Sequence, residues 1–318
     1  MSQCPLEINK NTFLIDGLDL NTNERTGSYV LDERGSGGEV TIIETGPSIS
    51  VQQIIKGLER LNIPLNDVKH IIVTHIHLDH AGGAGLLLES CPNANVLVHP
   101  RGLRHLHNPS RLIQGAKAVY GDAFDDLFNP IVPIENNKLR EMNHLEELQI
   151  GPNRKLLFLH TPGHAKHHFT IHDSLTNICY TGDTIGICYQ ELYRNKINFY
   201  LPSTSPNQFD PDEMLQSVDL IESLHPEYIA FGHYGVSTEP AAVFEQIRYW
   251  VPIFVSEGRK VFDNGDDWGI LKDNLFHRIQ NYLQQLGIES TSNIYESIQL
   301  DITISAMGII DYLQRTQK

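Results

Sequence analysis

The chain has 318 residues, of which 40% are hydrophobic and 20% are charged, and these proportions are typical of a folded globular protein rather than a disordered or fibrous one. Its 24 lysine and arginine residues and 39 aspartate and glutamate residues give a formal net charge of −15, which argues against a broad nucleic-acid-binding surface. The four cysteines show no CxxC spacing, and neither a secretory leader nor a bilayer-spanning apolar run is visible. We therefore expect a cytoplasmic protein that binds neither membranes nor nucleic acid.

The predicted elements alternate between strands and helices. Runs of β-branched and apolar residues predict strands, and apolar residues at every third or fourth position predict helices. In chain order, these are strands at 12–15, 28–31 and 40–43, a helix at 50–61, a strand at 70–74, a helix at 81–90, strands at 94–98, 169–171 and 178–180, a helix at 211–224 and a strand at 228–231. Ser48 or Ser50 is expected to cap the first helix, and Asp210 the helix at 211–224. This alternation indicates an α/β layered fold.

Two regions depart from the alternation. Residues 100–145 predict a helical insertion, and the chain beyond about residue 240 is mostly helical. We expect a main domain over 1–240 and a helical C-terminal extension over 241–318. The last helix carries an apolar stripe that packs either on the chain's own core or on a second copy in a homodimer. The stripe consists of Ile302, Ile304, Met307, Ile309, Ile310 and Leu313.

Histidine and aspartate side chains gather at the ends of predicted strands. His75, His77, Asp79 and His80 lie within six residues, directly after the strand at 70–74. Because alternate residues of an extended backbone face the same side, His75 and His77 are expected to point the same way. Three later apolar runs each end in a small residue and one ligand-type side chain, and these are His164, Asp183 and His233. Imidazole and carboxylate groups bind zinc, iron or manganese, so this pattern predicts a metal site at the strand ends.

The motifs HxHxDH at 75–80, TPGH at 161–164, TGD at 181–183 and FGH at 231–233 resemble those of the metallo-β-lactamase superfamily of metallohydrolases, over roughly residues 10–236. The resemblance implies a four-layer αββα sandwich with two divalent metal ions at one edge, zinc in the first place and iron or manganese as alternatives. It also implies that one metal is held by His75, His77 and His164, that the other is held by Asp79, His80 and His233, and that Asp183 bridges both.

Three positions depart from the patterns of particular relatives. Asp183 stands where the best-known β-lactamases of this superfamily place a cysteine, which disfavours lactam hydrolysis. His77 stands where the diiron oxygen and nitric-oxide reductases usually carry glutamate, which favours hydrolysis over redox chemistry. Glu44 begins Glu-Thr-Gly where many members have Asp-Thr-Gly, so either its longer arm gives the same support or the local geometry differs. The stretch at 202–206, PSTSP, is similar to a little-characterised prokaryotic subgroup.

The resemblance predicts a dinuclear metal-dependent hydrolase in which a metal-bridging hydroxide attacks an ester, thioester or lactone of a small molecule. Asp79 and Asp183 are expected to orient the nucleophile as well as to hold metal. A small-molecule phosphodiesterase is one alternative, and it requires the basic cluster at 101–105 to face the metals. A non-catalytic sensor or regulatory protein on the same fold is the other.

Several further side chains are candidates for the same pocket. Tyr189, Tyr193 and Tyr234 follow ligand positions and either donate to a developing oxyanion or pack in the core. Arg101 either binds a carboxylate or phosphate of the substrate or lies on a solvated helix face. At most one of His167 and His168 is expected to point into the site, because on an extended strand only alternate residues face one side.

Overall fold

The computed structural model describes residues 4–317. Its strands are β1 (Leu6–Asn9), β2 (Thr12–Asp16), β3 (Gly27–Asp32), β4 (Val40–Ile43), β5 (Val68–Ile72), β6 (Asn95–Val98), β7 (Leu139–Glu141), β8 (Glu147–Gly151), β9 (Arg154–His160), β10 (Phe169–Asp173), β11 (Ile178–Gly182), β12 (Ile187–Cys188), β13 (Tyr200–Leu201), β14 (Tyr228–Phe231) and β15 (Val236–Ser237). Its α-helices are α1 (Val51–Arg60), α2 (Leu78–Ala81), α3 (Ala84–Ser90), α4 (Pro100–His107), α5 (Ser110–Tyr120), α6 (Phe124–Phe128), α7 (Gln190–Arg194), α8 (Pro211–Glu222), α9 (Pro240–Asp263), α10 (Trp268–Gln285) and α11 (Ile294–Thr316).

Two large sheets carry the predicted strands. The first runs β1-β2-β3-β4-β5-β6-β7, antiparallel as far as β4 and parallel from β4 to β7. The second runs β15-β14-β11-β10-β9-β8, in which only β11 and β14 pair in parallel. Each strand that the sequence predicts is present, and the α/β class is confirmed.

The first sheet is buried on both faces because its strands are apolar at consecutive positions. In β5, Ile71 packs into a core shared with α1 and α3, whereas Ile72 packs into a core shared with the second sheet. Ile42 and Ile43 of β4 divide in the same way. Neighbouring residues of a strand point to opposite faces, so such runs stabilise a sheet that has a layer on either side.

The predicted caps have different outcomes at the two helices. Asp210 caps α8, because its Oδ1 accepts hydrogen bonds from the backbone N–H groups of Asp212 and Glu213, each 3.1 Å long. The cap predicted for α1 is wrong. Ser50 already has helical torsion angles and makes no capping hydrogen bond, and Ser48 Oγ donates instead to the carbonyls of Gly82 and Pro130. A capping side chain needs an extended backbone, which the turn before α1 does not provide.

The insertion is only partly helical. The last of the helices α4, α5 and α6 ends at Phe128, and the chain then runs without an α-helix, through one short 3-10 turn at Asn136–Lys138, into β7, which pairs with β6 at the edge of the first sheet. The prediction of a helical insertion up to residue 145 is therefore wrong in its second half. Pro130 and Pro133 explain this, because proline lacks the backbone N–H that a helix interior needs.

The chain divides into two compact units. The first comprises the chain as far as His160, together with His167–Gly182 and Pro226–Thr238, and it contains both large sheets. The second comprises Thr161–Lys166, Asp183–His225 and the chain from Glu239 onward. The domain boundary near residue 240 stays a prediction.

Within the second unit, α9, α10 and α11 pack against one another. Ile302, Ile309 and Leu313 of the apolar stripe are buried there, so this part of the stripe covers the chain's own helices. Among residues 4–317, no helix combines the length and the apolar character that crossing a membrane requires.

Candidate metal centre

The HxHxDH motif forms a turn from strand to helix. Strand β5 ends at Ile72, and His77 has an extended backbone and precedes the short helix α2, which carries Asp79 and His80. His233 lies two residues beyond the end of β14. The side chains therefore project from strand ends, where the backbone leaves the sheet and is able to present several ligand atoms together.

The ligand side chains of the first unit lie close together. The ring centroid of His75 is 4.6 Å from that of His77 and 4.2 Å from that of His80. Asp79 Oδ2 lies 3.4 Å from His80 Nε2 and 3.8 Å from His233 Nε2. These separations bring nitrogen and oxygen donors within reach of a single cation.

His164 and Asp183 form a matching pair in the second unit. Nε2 of His164 lies 3.6 Å from Oδ2 of Asp183, and both side chains are almost fully buried. Nδ1 of His164 donates to the backbone carbonyl of Ser203 at 2.9 Å, which places the proton on Nδ1. Ser203 Oγ also donates to Asp183 Oδ2 at 3.1 Å. This arrangement turns the Nε2 lone pair of His164 towards the carboxylate that the resemblance assigns as the metal bridge.

Glu44 orients the HxHxDH turn. One carboxylate oxygen accepts the backbone N–H of Thr74 at 2.7 Å, and the other lies 3.1 Å from Nδ1 of His80. His80 therefore carries its proton on Nδ1 and presents Nε2 to Asp79. Of the two possibilities for the Glu-Thr-Gly variant, the structure shows the first, because the longer side chain supports a ligand histidine directly. The backbone of Glu44 has a φ of 68°, a left-handed conformation that is strained for a residue other than glycine.

The donor set fits a divalent metal. Within the first unit, the ligand atoms of Asp79, His80 and His233 lie within 4.8 Å of one another and form a group that could hold a metal ion. Buried imidazoles and carboxylates at this spacing, with the opposite histidine nitrogen held by the protein, are what zinc and similar ions require.

The predicted substrate-contacting residues are placed differently from one another. Tyr189 is buried, and its hydroxyl donates to Asp301 at 2.9 Å. Tyr193 is half-buried, and Arg101 is exposed on α4. Tyr234 is buried in the core between the two large sheets and has a positive φ of 47°. Substrate contact by these four residues stays a prediction.

His167 and His168 both approach the ligand histidines. The ring of His168 stacks on that of His75 at 5.0 Å, and the ring of His167 lies 5.5 Å from that of His77. The expectation that at most one of them does so is wrong, because residues 166–167 form a turn instead of continuing an extended strand.

Sequence reasoning overlooked a histidine pair beside α4. Nε2 of His99 lies 3.0 Å from Nδ1 of His160, and Nδ1 of His99 accepts the backbone N–H of Arg101. Burial lowers the pKa of His99 to about 4, and the positive charges of His160 and Arg101 act in the same direction. This pair is therefore neutral near pH 7 and positions the start of α4.

Three more residues near the ligands had no sequence signal. Asp19 is almost fully buried, and burial together with the negative charge of Asp79 raises its pKa to about 6, whereas Arg25 and His233 act in the opposite direction. Burial also raises the pKa of Tyr120 well above its usual value, and the charges of Asp79 and Asp19 raise it further. These interactions place Asp19, Arg25 and Tyr120 in the electrostatic environment of the ligand groups.

The family model for the metallo-beta-lactamase superfamily matches residues 23–233. The chain belongs to the metallo-β-lactamase superfamily. It is 27% identical over 187 residues to the metallo-beta-lactamase fold-containing protein ST1585 of Sulfurisphaera tokodaii, covering 58% of this chain and 67% of that protein. It is 26% identical over 208 residues to protein YobT of Bacillus subtilis, covering 64% and 81%.

Solved structures share the same fold. The structure of ST1585 from Sulfolobus tokodaii matches with a TM-score of 0.63 at 23% identity, over 76% of this chain and 86% of that one. The metallo-beta-lactamase family protein TTHA1429 of Thermus thermophilus matches with a TM-score of 0.66 at 16% identity, over 98% and 95%. The predicted metallo-β-lactamase sandwich with a helical C-terminal region is thereby confirmed. Membership of this superfamily and the histidine and aspartate groups together support a metal-dependent hydrolase.

Proposed function

We propose that this protein is a dinuclear metal-dependent hydrolase that acts on an ester, thioester or lactone of a small molecule through a bridging hydroxide. The observation that carries the proposal is the group formed by Asp79, His80 and His233, whose ligand atoms lie within 4.8 Å of one another. His75 and His77 lie beside His80, and His164 and Asp183 form a second buried pair. In the proposed assignment, His75, His77 and His164 would hold one ion, Asp79, His80 and His233 would hold the other, and Asp183 would bind both.

Two divalent ions at such a site supply a hydroxide nucleophile near neutral pH and polarise the carbonyl under attack. The protein's own contribution is orientation. Glu44 holds His80, and the carbonyl of Ser203 holds His164, so each presents Nε2 to the ligand group. In this proposal, Asp79 and Asp183 accept hydrogen bonds from the nucleophile as well as binding metal. We propose zinc as the native metal, with iron and manganese as alternatives that the same donors accept.

A carbonyl substrate fits the surroundings better than a phosphodiester. Arg101 and Arg104 are exposed, and Nε of Arg104 donates to His105 at the protein surface. Beside the ligand turn, Leu78 instead packs with Phe124 and Phe128 in an apolar cluster. These three side chains are buried, but half-buried apolar residues such as Ile113 and Tyr120 pack on them and favour a substrate with a hydrocarbon part. A small-molecule phosphodiesterase has no comparable support.

The test is an assay of metal-loaded protein against a thioester, a lactone and a bis-aryl phosphate. We expect turnover of at least one carbonyl substrate. We also expect Asp183→Asn and His77→Ala to lower kcat/KM by about 10³-fold or more, since each removes part of the metal site. The matched controls are Asp122→Asn and His277→Ala, both exposed positions, which should leave kcat/KM unchanged. Full turnover by either ligand variant would overturn the site, and no turnover of any substrate by fully metallated protein would favour the sensor alternative.

Two further proposals concern the setting of the protein. We propose a cytoplasmic location, which the free thiols of Cys91, Cys179 and Cys188 support. We also propose a homodimer through the C-terminal helices, although the burial of Ile302, Ile309 and Leu313 leaves less of the apolar stripe for a second copy. Sedimentation as a monomer at every concentration in the analytical ultracentrifuge would exclude the dimer.

A further inference from the structure

The loop between β2 and β3, residues 17–26, is held in a strained conformation. Leu18, Leu20, Asn21 and Glu24 have positive φ angles of 50°, 53°, 55° and 58°. Residues other than glycine avoid this region, because their Cβ atoms crowd the backbone. Such conformations persist only where surrounding contacts impose them, and they are concentrated at ligand-binding and catalytic sites.

Hydrogen bonds fix both ends of this loop. The carboxylate of Asp16 accepts the backbone N–H of Leu18 at 3.0 Å and that of Glu24 at 2.9 Å. Directly after the loop, the N–H of Gly27 donates at 3.1 Å to the carbonyl of Gly232, the residue before His233. The strained loop is therefore tied to the segment that carries a proposed metal ligand.

This loop carries Asp19. Its side chain is only 3% exposed, and its Oδ1 makes no hydrogen bond within the described residues 4–317. A buried carboxylate oxygen without a donor is costly, so it marks either a defect or a place for a ligand. The loop that carries Asp19 is bonded to the residue before His233, and the charges of Asp79, His80 and His233 act on the Asp19 carboxylate, so Asp19 lies near these ligand groups. Asp19 is not part of the group formed by Asp79, His80 and His233, so metal binding does not account for it.

An apolar cluster lies near Asp19. Tyr120, at the end of α5, interacts electrostatically with both Asp19 and Asp79. Its ring packs on the cluster formed by Leu78, Phe124 and Phe128. Leu78 lies between the ligands His77 and Asp79 in the chain, so the apolar surface adjoins the ligand turn. Asp19 thus offers a hydrogen-bond acceptor near half-buried apolar side chains, such as Tyr120, that pack on this cluster.

We propose that Asp19 is a substrate-binding residue whose Oδ1 accepts a hydrogen bond from a hydroxyl or amide N–H group on the acyl part of the substrate, while the half-buried apolar side chains that pack on the cluster, Tyr120 among them, bind the hydrocarbon part. This inference rests on the proposed hydrolase and narrows its substrates to esters, thioesters or lactones that carry a donor near the scissile bond. Arg25 compensates the charge of Asp19, since its positive charge acts on that carboxylate.

The first experiment compares acyl thioesters that share one hydrocarbon chain and differ only at the second carbon, which is unsubstituted, hydroxylated or acylaminated. The wild-type metal-loaded protein should prefer at least one donor-bearing thioester by about tenfold or more in kcat/KM. Asp19→Ala should lower kcat/KM for that substrate by about 10- to 100-fold and should change the unsubstituted one less than threefold. Asp19→Asn keeps an amide oxygen as an acceptor, so its kcat/KM for the donor-bearing substrate should fall between those of the wild type and Asp19→Ala. It also provides a second variant if the alanine protein does not fold.

The control is Asp122→Ala, an exposed aspartate of the helical insertion, which should change none of these values. Comparison of the hydroxylated and the acylaminated thioester shows which of the two donors, the hydroxyl or the amide N–H group, Asp19 binds. Equal losses on all three thioesters, or no loss on any, would overturn the proposal. Loss of bound metal from Asp19→Ala in elemental analysis would overturn it as well, because Asp19 would then serve the metals.

A binding measurement separates this proposal from the proposed function. Calorimetric titration with the matching free acids, with and without the donor, requires no turnover. We expect the donor-bearing acid to bind the metal-loaded wild type about tenfold or more tightly than the plain acid, and we expect Asp19→Ala to remove that difference. If no thioester is hydrolysed but this difference is found, the hydrolase proposal fails and Asp19 is retained as a ligand-binding residue. Equal binding of the two acids by the wild type would show that Asp19 does not bind the donor group.

Discussion

Two clusters of buried polar side chains in the same compact unit are built in different ways. The Arg154 cluster consists of the fully buried Arg154 with Asp173, Glu33 and Thr12. Arg154 forms ion pairs of 2.6 Å with Asp173 and 3.1 Å with Glu33, and it donates to Thr12 Oγ1 at 2.6 Å. Positive and negative groups meet directly, so each carboxylate of this cluster is paired with the arginine.

The ligand cluster consists of His75, His77, Asp79, His80 and His233, which all offer nitrogen or oxygen atoms that can bind a metal ion. Imidazole rings lie 4.2 Å to 5.2 Å apart, and Asp79 Oδ2 lies 3.4 Å from His80 Nε2 and 3.8 Å from His233 Nε2. Buried nitrogens and oxygens that face one another need a cation to be stable together. The comparison teaches that burial of polar groups does not itself indicate function, whereas imidazole and carboxylate groups gathered within reach of one cation do.

The largest effect is expected from Arg154→Met, which removes the positive charge of the Arg154 cluster. Asp173 and Glu33 would remain buried without compensation, so the free energy of unfolding of the metal-free protein should fall by about 3–5 kcal/mol in urea titrations. The control is Arg140→Met, because Arg140 pairs with Glu146 at 3.1 Å on the surface and should cost less than about 1 kcal/mol. Equal losses in the two variants would show that the cluster is no more than a surface ion pair.

The His99–His160 pair is partly buried and contains no carboxylate, so it tests how burial affects the protonation of a histidine. Unfolded His99 takes up a proton near pH 6.5, whereas the folded residue does so only near pH 4. The unfolded state therefore binds more protons in this window, and stability is lost as the pH falls from about 6.5 to about 4.

His99→Gln isolates this contribution. Between pH 7 and pH 4, the metal-free wild type should lose about 3 kcal/mol more unfolding free energy than the variant. Urea titrations at each pH measure this, and the charged neighbours His160, His144 and Arg101 are retained in both proteins. Parallel pH profiles would mean that His99 does not stay neutral in the folded state.

Glu44→Gln tests how the ligand cluster is oriented. If the glutamine oxygen keeps the hydrogen bond from Thr74, its amide N–H₂ faces the protonated Nδ1 of His80, and two donors collide. His80 would then carry its proton on Nε2, the nitrogen needed for metal. We expect metal affinity to fall by about 10- to 100-fold in competition with a chromophoric chelator. Glu44→Asp retains the carboxylate and should lose less metal affinity. Wild-type metal affinity in the glutamine variant would show that Glu44 does not orient the metal ligands.

The smallest effect is expected at the cap of α8, which belongs to neither cluster. Asp210→Ala should lower the unfolding free energy by about 1 kcal/mol, because two backbone N–H groups lose their acceptor. Asp212→Ala, at an exposed position in the first turn, is the control and should cost about 0.5 kcal/mol or less. A loss at Asp210 as large as that of Arg154→Met would show that burial and charge pairing do not distinguish the Arg154 cluster.

The sequence predicts those features whose causes are local. Ile42 and Ile43 reveal a two-faced strand because neighbouring side chains point to opposite sides. The ligand positions are equally readable, since four of them lie within one turn and the others each follow an apolar strand. The capping role of Asp210 depends only on the next three residues, and it is confirmed.

Features that depend on distant contacts have no such signal. Arg154 pairs with Glu33, 121 residues away, and bonds to Thr12, 142 residues away. Asp19 is buried by a strained loop whose end is anchored at Gly232. Ser48 bonds to Gly82 and Pro130 instead of capping α1, because those carbonyls come within reach only in the folded chain.

The central claim is tested most directly by anomalous X-ray diffraction from crystals of metal-loaded protein at the absorption edges of zinc, iron and manganese. We predict two anomalous peaks about 3.5–4 Å apart, one contacted by His75, His77 and His164 and the other by Asp79, His80 and His233, with Asp183 between them. Crystals with no peak at these side chains, or with the metal bound elsewhere, would contradict the account.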